Sequence, residues 1–249
     1  MPRLSIVIPV KNEEKILPTL LASIQAQTFR DYEVIVADAH STDGTAKIAK
    51  KFGARVVEGG MPGPGRNKGA LHAKGEIILF LDADVELSRT KFLEECLAEM
   101  DRKKLDIATC AVKPLTRSHV DRAMYHIYNA YTRATAKVRP HAAGFCIFVR
   151  RHLHEKIKGF DEEVVFAEDH DYAQRAHAHG RFGILRSHSI ASSVRRLEKD
   201  GRLLIALRYF YAELFIIAKR PMKKKLPFEY EMGGTEKVPK APRSARKHR

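Results

Sequence analysis

The chain has 249 residues, 44% of them apolar and 30% charged, a composition that excludes wholesale disorder and collagen-like repeats. Its formal net charge is +15, which points to a polyanionic partner: nucleic acid, an anionic membrane or a phosphorylated small molecule. No nucleic-acid-binding motif accompanies the charge, so nucleic acid is set aside. Cys96, Cys110 and Cys146 form no CxxC pair and are odd in number, which argues against a disulfide framework and a cysteine-based zinc site. The opening MPRLSIVIPVKNEE has no apolar run of signal-peptide length, which predicts a cytoplasmic protein.

In chain order, LSIVIPV (4–10) is β-branched and nearly all apolar, as a strand covered on both faces should be. A helix is expected from Glu13 to Gln27, with Ile16, Leu20, Leu21 and Ile24 on one face. YEVIVAD (32–38) reads as the second strand. Ser41 then reads as the N-cap of a helix reaching Phe52. ARVVE (54–58) is a third strand, EGGMPGPG (58–65) a loop, Arg66–Lys74 a short helix and EIILFLDAD (76–84) a fourth strand. This alternation predicts an α/β fold with a mostly parallel, doubly wound sheet flanked by helices. A helix over 90–103, a strand over 106–112, a helix over 120–137, a strand over 142–149 and a helix over 169–179 follow. RLLIALRYFYAELFIIAKR (202–220) is a highly apolar amphipathic helix, broken by Arg208 and Glu213, that suits core packing, a dimer face or a membrane surface. The division expected is a domain over 1–200, this helix within 201–220, and a basic tail over 221–249.

Ligands of open parallel sheets sit beyond the carboxyl ends of the strands. There the sequence collects Pro9 to Glu13, Asp38 to Gly44, Arg66 to Gly69, and Asp82-Ala83-Asp84. Two carboxylates two residues apart, at the end of a buried strand, are costly without a cation, and Mn²⁺ or Mg²⁺ would complete its coordination with phosphate oxygens and water. The bland alternative is a strand-ending turn with solvated aspartates. GPGRNKG follows the third strand with G-x-G-x-x-x-G spacing, which argues for turn chemistry over a dinucleotide fingerprint. His170, His177 and His179 read as surface residues of a helix. Ser192 to Arg196 could hold a diphosphate or an acceptor phosphate, or simply start a solvated helix.

The set IVIPVKNEE, VIVADAHSTDGT, GPGRNKGA, GEIILFLDADV and FAEDHDYAQRAHAHG, in this order over residues 4–185, resembles the family-2 nucleotide-sugar glycosyltransferases of the GT-A fold, with likeness to the polyprenyl-phosphate sugar synthases. The resemblance implies that Pro9, Glu13, Asp38, Arg66 and Asp82 bind the nucleotide. It implies that Asp82 and Asp84, with Glu86 and His188 as further candidates, hold the divalent metal, and that Asp169 is the general base of an inverting transfer. The implied donor is a nucleotide sugar; the sequence leaves the acceptor open, with polyprenyl-phosphate or another lipid-linked acceptor one candidate because the apolar helix and basic tail would bring the chain to the cytoplasmic face of a membrane. Ala39 departs from the family's commonest pattern, and no Q-x-x-R-W motif of processive members is present. A sugar-phosphate nucleotidyltransferase would carry a Gly-rich basic loop where PVKNEE stands, and a non-enzymatic nucleotide- or polyanion-binding protein would not need Asp84. The glycosyltransferase reading fails if Asp38 and Asp84 lie on opposite sides of the molecule with no cavity between them.

Overall fold

A computed structural model describes residues 1–217; the basic tail expected over 221–249 lies outside the described residues. The elements run β1 (Leu4–Val10), α1 (Leu17–Gln25), β2 (Tyr32–Asp38), α2 (Thr45–Lys51), β3 (Arg55–Glu58), α3 (Pro62–Ala70), β4 (Ile77–Phe80), β5 (Val85–Glu86), α4 (Phe92–Arg102), β6 (Ile107–Pro114), α5 (His119–Thr135), β7 (Ile147–Arg150), α6 (Arg151–Lys156), α7 (Glu168–His177), β8 (Phe182–Ser192), α8 (Arg195–Asp200) and α9 (Arg202–Ile217). The eight strands form one sheet in the order β3-β2-β1-β4-β7-β6-β8-β5. The first four, with β6 and β8, share one direction, whereas β7 runs against both its neighbours and β5 runs against β8.

The alternation within strands explains how one sheet serves two cores. Leu4, Ile6, Ile8 and Val10 of β1 and Ile77 and Leu79 of β4 pack with Leu17, Leu20, Leu21, Phe92 and Leu93 on one face. Val7, Ile78 and Phe80 pack on the other with Phe160, Tyr172 and Ala173. That second face includes a stacked Phe160–Tyr172 pair, 4.0 Å between centroids.

Three expectations shift locally. The second helix begins at Thr45, because the Ser41 hydroxyl binds Asp38 instead of capping it. The Gly/Pro segment expected to be loop begins α3 at Pro62, since proline suits the first turn of a helix. Its Gly69 lies so close to β1 that a Cβ would stand 2.4 Å from Val7 Cγ1. The strand expected over 76–84 ends at Phe80, which frees Asp82 and Asp84 from the ladder.

The outward path β1-β2-β3 and the return to β4 put a topological switch point between β1 and β4, where ligands of such sheets bind. Because β7 is reversed, its entering segment, Ala143 to Phe145, reaches this same edge beside Phe80. Among the described residues no helix is long and apolar enough to cross a membrane.

Candidate active site

A cavity of about 450 Å³ opens at the switch point. Its lining includes Pro9 near the end of β1, Glu13 after it, Arg66 of α3, Asp82 and Asp84 after β4, Gly144 before β7, Glu168 and Asp169 at the start of α7, and Arg195 at the start of α8. The far wall is more apolar: Met124, Tyr125 and Tyr128 of α5 face Ile205 and Tyr209 of α9, with Arg196, Lys199 and Arg208 nearby.

The charges are organised in two groups. Arg66 is 2% exposed and stands at the centre of the first. Its Nη1 donates to Glu168 Oε1 at 2.8 Å, and its Nη2 donates to Asp82 Oδ1 at 2.7 Å and to the Gly144 carbonyl at 3.3 Å. Burial opposes its charge, but Asp82, Glu168 and Asp169 hold the guanidinium firmly protonated. Burial and then the neighbouring Asp169 push the Glu168 carboxyl up, against the pull of Arg66. Ala167, immediately before, adopts a left-handed conformation at φ 56°, uncommon outside glycine, as the chain turns into α7. Asp169 accepts from the Gly144 amide at 2.6 Å and from the His170 amide at 2.8 Å.

In the second group Arg195 grips Glu13 with both Nη atoms at 2.7 Å and reaches Asp84 Oδ2 with Nε at 3.2 Å. Burial pushes the Asp84 carboxyl up; Arg195 pulls it back and Asp82 adds to the rise. The D-x-D element is therefore split between two arginines, Asp82 held by Arg66 and Asp84 by Arg195.

The structure thus brings Pro9, Glu13, Arg66, Asp82, Asp84 and Asp169 to one cavity. Asp38 ends β2 on the same sheet edge, opposite Val10, but is absent from the cavity lining. Its Oδ1 accepts from the Ser41 amide at 3.0 Å and hydroxyl at 2.5 Å, closing its own turn. Glu86 belongs to the short β5 paired with β8 and does not line the cavity. His188 points to α4, with Nε2 2.7 Å from Glu95 Oε2 and its ring beside Phe92. The expected metal set of Asp82, Asp84, Glu86 and His188 is not assembled: among the described residues no group of three or more His, Cys, Asp or Glu could hold an ion. The two aspartates are still the number that Mg²⁺ or Mn²⁺ draws from protein when donor phosphates and water complete the shell, so the residues fit a metal that arrives with its nucleotide. His170 is buried at 5% exposure, not superficial, its ring 4.9 Å from that of His141.

Sequence reasoning missed Gly144, whose backbone touches both Arg66 and Asp169, and the aromatic wall of α5. Nothing in a lone glycine signals such a role. Arg195 was legible only as one of several uses of an Arg pair after a strand.

A mostly parallel sheet with a cavity of paired acidic and basic residues at its switch point matches the GT-A architecture of nucleotide-sugar glycosyltransferases. The sequence profile of glycosyl transferase family 2 matches residues 5–158, and the chain belongs to that family. It is 30% identical over 135 residues to the poly(ribitol-phosphate) β-N-acetylglucosaminyltransferase TarS of Staphylococcus aureus, a match covering 50% of this chain and 23% of TarS. It is 36% identical over 97 residues to a GalNAc(5)-diNAcBac-PP-undecaprenol β-1,3-glucosyltransferase of Campylobacter jejuni, covering 35% of this chain and 31% of that protein. The matches thus span less than a third of these two relatives. In structure, the chain superposes on a mannosyltransferase from Pyrobaculum calidifontis, solved with GDP-Man and Mn²⁺, with a TM-score of 0.66, 23% identity and coverage of 78% of this chain and 57% of that one.

Proposed function

We propose that the chain transfers a sugar from a nucleoside-diphosphate donor to a lipid-linked acceptor, with inversion at the anomeric carbon. The observation that carries this reading is the convergence of Glu13, Arg66, Asp82, Asp84, Asp169 and Arg195 on one cavity at the switch point. Pro9, Glu13, Arg66 and Asp82 are assigned to the nucleotide side. Asp82 and Asp84 would hold the divalent metal, Mn²⁺ or Mg²⁺, which when bound supplies Lewis-acid neutralisation of the leaving diphosphate.

Asp169 serves as the base. As the acceptor hydroxyl oxygen bonds to the anomeric carbon, its proton passes to the Asp169 carboxylate; the bond to the diphosphate oxygen breaks and that oxygen leaves with the electron pair. The amides of Gly144 and His170 fix the orientation of this carboxylate. With a phosphate anion as acceptor no proton moves, and Asp169 orients the nucleophile. Arg195 carries the charge and fork geometry that suit a diphosphate.

The acceptor class is argued from the far wall. Met124, Tyr128, Ile205 and Tyr209 offer apolar surface, and Arg196, Lys199 and Arg208 offer positive charge, a combination that suits a phosphate attached to a hydrocarbon chain. On the opposite side of α9, Leu203, Leu207, Phe210 and Leu214 are exposed at helical spacing. Residues 219–249 carry eleven Lys and Arg against three Asp and Glu, a charge complementary to an anionic membrane, so we assign this face to the membrane surface.

The test is a thermal-shift series with nucleoside diphosphates, each with and without Mn²⁺. One nucleotide should raise Tm in a metal-dependent way, by the equivalent of about 2.7 kcal/mol at a hundred times its Kd. If no nucleotide stabilises the protein under either condition, the reading fails.

A further inference from the structure

We propose that Arg195 is a resident counter-cation of the D-x-D site, competing with the divalent metal for Asp84 until the donor diphosphate offers the guanidinium another partner. The inference rests on the transferase reading and goes beyond it by fixing the order in which charges are exchanged. Three observations carry it. Glu13 is 5% exposed and its two carboxylate oxygens are both taken by Arg195. The same guanidinium reaches Asp84 through Nε, so one cation spans two acidic residues from separate segments. And Arg196 next to it lines the same cavity, a second positive charge against which the effect of the Arg195 guanidinium can be compared.

A second cation at Asp84 would meet the Arg195 charge at contact distance, and like charges that close repel strongly in a partly buried site. Metal alone therefore binds weakly. A diphosphate changes the balance because its oxygens accept from an arginine fork as well as a carboxylate does. Metal and nucleotide then enter together, and Arg195 exchanges Asp84 for phosphate. Its backbone position favours the exchange: Arg195 opens the six-residue α8, which is tied to the D-x-D loop through the Ser193 amide and Asp84 carbonyl at 3.0 Å.

The experiment is a titration of Mn²⁺ alone, read by loss of the aqueous Mn²⁺ signal in electron paramagnetic resonance. It compares the unmodified chain with Arg195→Gln and with Arg196→Gln, which removes the same charge from the same cavity. R195Q should bind Mn²⁺ about tenfold more tightly, R196Q should change it by less than about threefold, and D84N in the R195Q background should abolish the gain. With Mn²⁺ saturating, R195Q should bind a nucleoside diphosphate about tenfold more weakly, since the charged guanidinium donor released from Asp84 is lost. Should R195Q fail to fold, R195M removes the same charge and should show the same gain of about tenfold. No gain in R195Q or R195M, or an equal gain in R196Q, overturns the proposal. Failure of the unmodified chain to bind any nucleoside diphosphate would instead overturn the transferase reading, and the Mn²⁺ comparison would stand apart from it.

Discussion

Arg66 and Asp169 meet at Gly144 yet carry different kinds of consequence. Arg66 lies inside the protein with Asp82 and Glu168 as partners. Removing it leaves Glu168, 13% exposed, without its counter-charge, and breaking a buried pair from one side costs about 3–5 kcal/mol. Arg66→Ala should therefore lower the unfolding free energy from urea titration by that amount without nucleotide; unchanged stability would mean that Arg66 serves only the ligand. In Asp169→Asn the remaining carbonyl oxygen still accepts from the Gly144 amide and the side chain is partly open to water, so the chain should fold. Its transfer kcat should fall by about 10²–10⁴ while nucleotide affinity stays within about twofold. A parallel loss of nucleotide affinity would argue against its role as base. Both residues stand out in the sequence because GPGR and EDHD flank helix starts. Asp38 stands out equally, and its Oδ1 closes an Asx turn at the end of β2, a local bond that sequence spacing does not reveal.

Among the elements, β8 shows how a helix can hold a strand irregularity. Its register against β6 jumps from Cys110↔Leu185 to Ala111↔Ser189, so residues 186–188 bulge from the ladder. Glu99 of α4 accepts the freed amides of Arg186, at 2.9 Å, and Ser187, at 2.8 Å, and pairs with Lys103. Burial works to raise the Glu99 carboxyl, but Lys103 and these amides outweigh it and hold it at about 2. A depressed carboxyl contributes stability that is full above its unfolded value, near 4.5, and is lost as pH falls towards 2. After allowance for solvent screening the loss should be about 1–3 kcal/mol. Urea unfolding at pH 7 and pH 3 should show this difference shrinking in Glu99→Gln; an unchanged slope with pH would remove the clamp from consideration. At the other end, α9 is pinned by Glu213, which accepts from Tyr131 and has His141 Nε2 at 2.9 Å. That anchor turns Leu207 and Phe210 outward. The double change Leu207→Ser and Phe210→Ser should cut co-sedimentation with anionic vesicles at least about tenfold, given that each apolar side chain moved out of water contributes roughly 1.5–3 kcal/mol. Equal binding by the altered chain would assign membrane affinity, if any, to charge alone.

For the whole molecule, the first half was readable because its strands repeat a simple rule. Residues that alternate between two cores, separated by amphipathic helices, leave little choice but a parallel sheet with right-handed crossovers, and β1 and β2 fall where the pattern puts them. The second half obeys no such rule. The reversal of β7 depends on where α5 delivers the chain, and a four-residue apolar strand carries no mark of its direction. The same limit applied to the site. The acidic and basic residues near strand ends were visible, but their pairing, Arg66 with Asp82 and Glu168, Arg195 with Glu13 and Asp84, joins segments from 16 to 182 residues apart. Such distances are settled by the fold and not by local spacing.

One small residue has the widest reach. Gly144 offers its amide to Asp169 and its carbonyl to Arg66, and a Cβ there would stand 2.4 Å from Arg66 Nη2. Asp169, the proposed base, and Arg66, assigned above to the donor side, are thus riveted to the same backbone unit. Laboratory evolution towards new acceptors cannot retune one without disturbing the other there, and useful variation should collect instead along α5 and α9.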